Sequence, residues 1–188
     1  MKHLYFVRHG QTVWNVEDKI CGMTDSPLTQ KGREQAKEAA ELLLKGNYRI
    51  DEILYSPLSR ARDTALIISE VTGIPAREEK RLKEQNFGKW EGTSPRAGIP
   101  FREDKKNFVY DFDGGESMVR FCHRIYDLLD EIRDEESDKI YLLVAHNGVA
   151  RAVQSYFYNM TNDEFSRFGI QNCEIIKLEY NNLTESFL

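Results

Sequence analysis

Two hydrophobic periods alternate along this chain, and the points where one gives way to the other outline its elements. Residues 3–8 (HLYFVR) form a short apolar run rich in β-formers and closed by Gly10, which predicts a first strand. Residues 11–27 read as a loop, punctuated by Gly22, Asp25 and Pro27. From Thr29 the pattern turns helical, with Ala36, Ala40 and Leu43 on one face and Gly46 as the stop. A second strand is predicted at 52–55. Leu58, Ala61, Ala65 and Ile68 then step by three, four and three, predicting a helix that runs to Gly73. The clearest amphipathic stripe is Met118, Cys122, Ile125, Leu129 and Ile132. Residues 139–145 predict a buried strand, 148–158 a helix and 173–180 a last strand. This alternation predicts an α/β fold: a three-layer α/β/α domain with a mostly parallel central sheet. A chain of 188 residues is long enough to close such a core as a single domain, without disulfides or metal.

One stretch breaks the pattern. Residues 93–113 carry four basic and four acidic residues, two prolines and four aromatics. Such an excursion is either a solvated connection or a lid that selects the substrate, since loops of this length often carry function.

Charge and cysteine content narrow the function classes. The net charge is −5, and no basic run exceeds two residues, which argues against a nucleic-acid partner. An acidic surface still allows a pocket that concentrates a few arginines around an anionic substrate. Cys21, Cys122 and Cys173 are odd in number and far apart, as reduced thiols would be. The longest stretches free of Asp, Glu, Lys and Arg, 140–150 and 152–162, have eleven residues each, too few for a membrane span. The first apolar run meets Arg8 too soon for a secretory signal. A cytoplasmic enzyme or binding module is expected. The oligomeric state is not readable.

Several chemistries are missing their residues. Neither phosphate-cradling glycine loop is present, and no H-E-x-x-H or C-x-x-C offers a local zinc ligand pair. No cysteine has an arginine six positions on, as a cysteine-based phosphate loop requires. Asp111-Phe112-Asp113-Gly114 resembles an aspartyl-phosphate motif, but that chemistry wants its first aspartate at the end of a well-formed strand. What remains is Arg8-His9-Gly10 after the first strand and His146-Asn147-Gly148 after a later one. Ligands of open α/β sheets bind outside the carboxyl ends of the strands, so both histidines belong to that edge. A lone strand-end histidine is more often a satisfied core residue. Two of them, each with a glycine close behind to admit a ligand, point to a site. Arg8 and His9 face opposite ways on a regular strand, so both reach one site only if the chain turns at His9-Gly10.

The run Arg8-His9-Gly10-Gln11-Thr12-Val13-Trp14-Asn15 resembles the opening signature of the histidine phosphatase superfamily, which includes the cofactor-dependent phosphoglycerate mutases. The resemblance continues through Asp25-Ser26-Pro27-Leu28-Thr29 with Gly32, and through Ser56-Pro57-Leu58-Ser59-Arg60-Ala61-Arg62. It recurs at Leu82-Lys83-Glu84 with Phe87-Gly88-Lys89-Trp90-Glu91-Gly92, at Gly114-Gly115-Glu116-Ser117 and at Val144-Ala145-His146. The chain departs from the family pattern at Cys21, Ala145 and Asn147. An asparagine at 147 would preserve a turn that needs positive φ.

The resemblance implies roles that residue chemistry also supports. His9 would be the nucleophile, its second ring nitrogen holding the proton against a backbone carbonyl, with nearby cations opposing protonation. Arg8 and Arg60 would grip phosphate oxygens with planar forks, and His146, protonated once phosphate is bound, would add a donor. Glu84 would protonate the leaving alkoxide and later deprotonate water. Asn15, the backbone near Gly22, and Asn147 would also touch the phosphorylated substrate. No metal and no cofactor is implied.

Three function classes follow. The first is a phosphomonoester hydrolase acting through phosphohistidine on a small phosphorylated metabolite, of the metal-independent histidine acid phosphatase type. The second is a phosphoglycerate mutase; the third is a non-catalytic phospho-ligand binder. The neutral Gln85-Asn86 after Glu84 favours the hydrolase, and the excursion's balanced charge suits an organic leaving group held loosely. His9 and Glu84 together argue against a mere binder, which needs neither.

Overall fold

The computed structural model describes residues 2–46, 48–94 and 99–180. Its strands are β1 (His3–Arg8), β2 (Glu52–Tyr55), β3 (Ala76–Glu78), β4 (Tyr141–Ala145) and β5 (Ile175–Glu179), in the sheet order β3-β2-β4-β1-β5. The central strand β4 runs parallel to both β1 and β2, and β3 runs parallel to β2. Only β5 is antiparallel, on the edge beside β1. The helices are α1 (Val13–Val16), α2 (Gln30–Lys45), α3 (Ser59–Thr72), α4 (Ile99–Lys106), α5 (Met118–Asp134), α6 (Asn147–Phe157) and α7 (Asn162–Arg167).

Strand periodicity sorts the core into two faces. Tyr5, Val7, Leu142 and Val144 point to one side, where Ala40 and Leu43 of α2 and Ala65 and Ile68 of α3 cover them. Leu4, Phe6, Leu143 and Ala145 point to the other, under Ile125 and Leu129 of α5 and Val149 and Val153 of α6. Both faces are covered, as a mostly parallel sheet requires. The expected mixed α/β fold with helices on both faces is what the chain adopts. Truncating Leu143, fully buried in the central strand, to alanine would cost about 2–5 kcal/mol.

The excursion differs from the expected irregular stretch. It contains α4, and its Phe101 and Phe112 are buried with Ile20 and Phe87 in a separate aromatic cluster. The lid expected at 93–113 falls partly on residues 95–98, which lie outside the described residues. Within the same excursion, 108–109 is turn and 110 is irregular, with no strand leading to Asp111. Asp111 O accepts a hydrogen bond from Gly115 N at 2.7 Å across a turn in which Phe112 and Asp113 adopt positive φ. The strand-end aspartate needed for aspartyl-phosphate chemistry is therefore not there.

Candidate active site

The parallel register brings the signature residues together. Arg8 pairs with Ala145 across β1 and β4, and His9 N donates to Ala145 O at 2.9 Å. Ser56, just past β2, donates its N–H to Val144 O at 3.1 Å. His9, His146 and Ser56 thus stand on adjacent strand ends, with the two imidazole centroids 5.2 Å apart. Asn172 Nδ2 donates to His9 O at 2.8 Å, and Cys173 N to Arg8 O at 2.9 Å, so the segment before β5 clamps the Arg8-His9 backbone.

Hydrogen-bond partners fix the tautomers of both histidines. A carbonyl only accepts, so His9 Nδ1 carries the proton it donates to Gly10 O at 2.8 Å, and Nε2 keeps its lone pair. An arginine only donates, so His146 Nδ1 accepts from Arg60 Nε at 3.2 Å, and its Nε2–H lies 2.7 Å from Ser56 Oγ. Burial holds both imidazoles well below the ordinary histidine range. The Arg60 and Arg8 charges act in the same sense on His9. His146 is a neutral acceptor in this state, so the doubly protonated form expected with bound phosphate requires Arg60 Nε to release Nδ1.

The two arginines differ in how they are held. Arg60, 1% exposed, donates through Nη2 to Gly22 O at 2.7 Å and through Nη1 to Thr24 O at 3.1 Å. It ties the loop after Cys21 to His146, and only its remaining N–H groups are open to a phosphoryl oxygen. Arg8 donates from Nη1 to Ile170 O at 2.7 Å, while its buried Nε has no hydrogen-bond partner among the described residues. A buried donor left unmatched is costly, and an anion would satisfy it.

Two helices begin at this edge without a side-chain cap of their own, and carboxylates from distant loops serve instead. Asp25 accepts from Ser59 N at 3.1 Å and Ser59 Oγ at 2.8 Å, at the start of α3, and lies 3.7 Å from Arg60 Nη1. Glu84, buried, accepts from Gly148 N at 3.0 Å, at the start of α6, and from Gln85 N at 3.0 Å. Both carboxylates meet the positive end of a helix. Arg124 reinforces the second: it donates to Glu84 O at 3.2 Å while paired with Glu116 at 2.8 Å.

Several finer expectations change. The glycines behind the histidines do not face open ligand space. A Cβ at Gly10 would lie 2.3 Å from Gly32 O, and one at Gly148 would lie 2.3 Å from Glu84 Oε1. They permit backbone contact between α2 and the strand end, and close approach of Glu84. Asn147 is the first residue of α6 and needs no positive φ; its Oδ1 accepts from Ile170 N at 3.0 Å. Asn15 uses its Oδ1 to accept from Thr12 N at 3.1 Å in the capping box of α1. Gly22 gives its carbonyl to Arg60, and a Cβ there would meet Glu91 Oε1 at 2.2 Å. Cys21 donates to Thr24 O at 3.4 Å, and burial pushes its thiol up to about 11, so it is no thiolate nucleophile. Ser56, Asp25 and Glu91 all lie in the signature blocks, which flag them without giving a role. Glu91 accepts from Met23 N at 2.8 Å and Phe87 N at 3.0 Å, fixing the loop under Arg60. Asn172 sits where the sequence carries no signal.

Comparison with known proteins finds relatives along nearly the whole chain. The family model described as histidine phosphatase superfamily (branch 1) matches residues 4–187. The chain is 31% identical over 186 residues to the probable phosphoglycerate mutase GpmB of Yersinia pestis (strain Pestoides F), covering 96% of this chain and 86% of the relative. Among solved structures, a mycobacterial glucosyl-3-phosphoglycerate phosphatase complexed with VO3 superposes with a TM-score of 0.82 at 30% identity, covering 95% of this chain and 91% of that one. TTHB049 from Thermus thermophilus gives 0.75 at 28% identity over 95% and 94% of the two chains. With a family model that matches nearly the whole chain and a relative 31% identical over 186 residues, this chain belongs to the histidine phosphatase superfamily.

Proposed function

We propose that the protein is a phosphomonoester hydrolase that works through a phosphohistidine at His9. The observation that carries this reading is the His9 tautomer: Nδ1–H is committed to Gly10 O, and Nε2 is an unprotonated nucleophile with no hydrogen-bond partner among the described residues. In the first step Nε2 attacks phosphorus, the P–O bond to the leaving group breaks, and Glu84 gives its proton to the departing oxygen. In the second, water attacks the phosphohistidine, Glu84 takes a water proton, and the P–N bond breaks to release phosphate. Arg8 and Arg60 balance the charge of the transferring group, which is most of what phosphoryl transfer asks of a protein. On the resemblance, Asn15, the Gly22 backbone and Asn147 would also touch the phosphorylated substrate. The substrate is a small phosphorylated metabolite, and the mechanism calls on no metal.

The similarity to a phosphatase of glucosyl-3-phosphoglycerate supports hydrolysis. The similarity to a probable phosphoglycerate mutase favours a second reading, in which phosphohistidine returns its group to a sugar acid before water arrives. One incubation separates them: 3-phosphoglycerate with catalytic 2,3-bisphosphoglycerate, followed by coupled enolase and phosphate assays. Phosphate release with negligible isomer exchange supports the hydrolase; fast exchange with little phosphate makes it a mutase.

A further inference from the structure

The chain leaves β1 at His9, and each backbone polar group on the way out needs a partner. His9 N still reaches β4, donating to Ala145 O at 2.9 Å. On the other side, β5 pairs with β1 only as far as Val7, opposite Ile175. Beyond that point Arg8 O is met by Cys173 N at 2.9 Å. Gly10 N donates to Thr64 Oγ1 at 3.1 Å, and Gln11 N to Gln35 Oε1 at 2.9 Å. His9 O takes its hydrogen bond from a side chain instead, Asn172 Nδ2, at 2.8 Å. A carbonyl only accepts, so the end of the Asn172 amide that faces it is the NH2 group.

The same NH2 group reaches a second oxygen. Asn172 Nδ2 lies 3.5 Å from Asn15 Oδ1, which also accepts from Thr12 N at 3.1 Å. Two N–H donors on one side decide how the Asn15 amide is turned, because neither can face its NH2 end. Asn15 Nδ2 is the end left over, and it has no hydrogen-bond partner among the described residues.

The neighbours of Asn172 hold the site through backbone atoms. Ile170 O accepts from Arg8 Nη1 at 2.7 Å, and Ile170 N donates to Asn147 Oδ1 at 3.0 Å. Any residue but proline could supply these atoms and the Cys173 N–H. Of the contacts this segment makes to Arg8, His9, Asn15 and Asn147, only those of Asn172 depend on which residue stands there. An aspartate would fill the same space without an N–H, and would set a negative charge against two oxygens.

Taking His9 as the nucleophile and Asn15 as the phosphate contact that the resemblance implies, we propose that Asn172 is a positioning residue for both. Its one NH2 group locks the His9 peptide and the Asn15 amide into a common frame. With His9 O and Gly10 N both held, the plane of the peptide between them is set. Gly10 O, one peptide further on, then stands where it takes the His9 Nδ1 proton at 2.8 Å. The frame thus aims the imidazole as well as fixing its tautomer. On the Asn15 side it turns a donor, Nδ2, outward for a phosphoryl oxygen. Asn172 acts through these two residues.

The test is a double-substitution cycle on p-nitrophenyl phosphate turnover, with the rate of adduct formation on His9 read in a single turnover. Asn172 is half-buried, and circular dichroism checks that its variants fold. Asn172→Ala should lower kcat/KM at least about tenfold, as misplacing reacting groups does. In an Asn15→Ala background the same change should cost about threefold or less, because residues that act together are not additive. Asn172→Asp keeps the shape and loses only the N–H groups, so it should lose as much as alanine. An aspartate variant of full rate would trace the alanine loss to packing and overturn the proposal. So would an equal factor in both backgrounds, which is the mark of a simple loop staple, or an adduct that forms on Asn172→Ala at the unaltered rate. If the unaltered enzyme forms no adduct on His9, it is the nucleophile reading that fails, and the positioning role falls with it.

Discussion

The carboxylate of Glu84 and the backbone of Gly148 are in contact: Oε2 accepts the Gly148 N–H at 3.0 Å, and a Cβ at 148 would stand 2.3 Å from Oε1. The glycine behind the second histidine is thus a seat for the proposed proton donor. Gly148→Ala must push the carboxylate off the helix end while leaving the sheet intact. We expect kcat to fall about a hundredfold, the cost of displacing a catalytic group by about 1 Å, with unchanged circular dichroism. An alanine variant of full activity would separate Glu84 from catalysis.

Glu84→Gln keeps the shape and removes the proton. It should slow alkyl phosphates far more than p-nitrophenyl phosphate, whose leaving group needs no acid. The unaltered enzyme should lose rate on alkyl phosphates as pH rises, because the acid must be protonated. Equal losses on both substrate types would remove Glu84 from that role.

Asp25→Ala should act through α3 rather than through chemistry. It removes the acceptor for Ser59 N and an ion-pair partner of Arg60, and should cost about 1 kcal/mol in urea unfolding, as lost helix caps do. Freed from Asp25, Arg60 should hold phosphate less well, so KM should rise while kcat changes little. A kcat loss at constant KM would contradict this.

Opposite pH trends are expected for stability and for turnover. Burial keeps His9 and His146 neutral in the fold, while the unfolded chain protonates them near the ordinary value of 6.5. Below that pH the unfolded state binds more protons, so stability falls as pH falls, by up to about 1.4 kcal/mol per pH unit for each histidine. Urea midpoints measured between pH 7.5 and 5.5 should therefore drop, even as turnover of alkyl phosphates improves. Flat midpoints would contradict this assignment.

The long elements were legible because each satisfies one period and one stop. Helix α2 starts at the Thr29 cap and ends at Gly46, and α3 ends at Gly73, whose φ of 75° only glycine adopts freely. The strand ends bearing His9 and His146 were readable for the same reason, and the signature blocks brought in Arg60 and Glu84. Short elements were not. β3 has three residues and exists through pairing with β2, while α4 is held by Phe101 packing on Phe87 and Trp90. Its mixed charges and prolines mask it locally. The partners of site residues were also hidden, since Asn172 reaches His9 across 163 positions without any periodic trace. Asn147 shows the reverse: a signature position whose side chain is taken up by Ile170 N.

The most direct test of the account is to find where the phosphoryl group goes. The unaltered enzyme, mixed with p-nitrophenyl phosphate, acid- or base-quenched within a turnover and analysed by intact mass and peptide mapping, should carry one phosphoryl group on the peptide containing His9. That adduct should survive base and be lost in acid, as a phosphoramidate is, and His9→Ala should show neither the adduct nor turnover. Phosphate on Asp111 or on a cysteine, or turnover that persists in His9→Ala, would contradict a phosphohistidine enzyme.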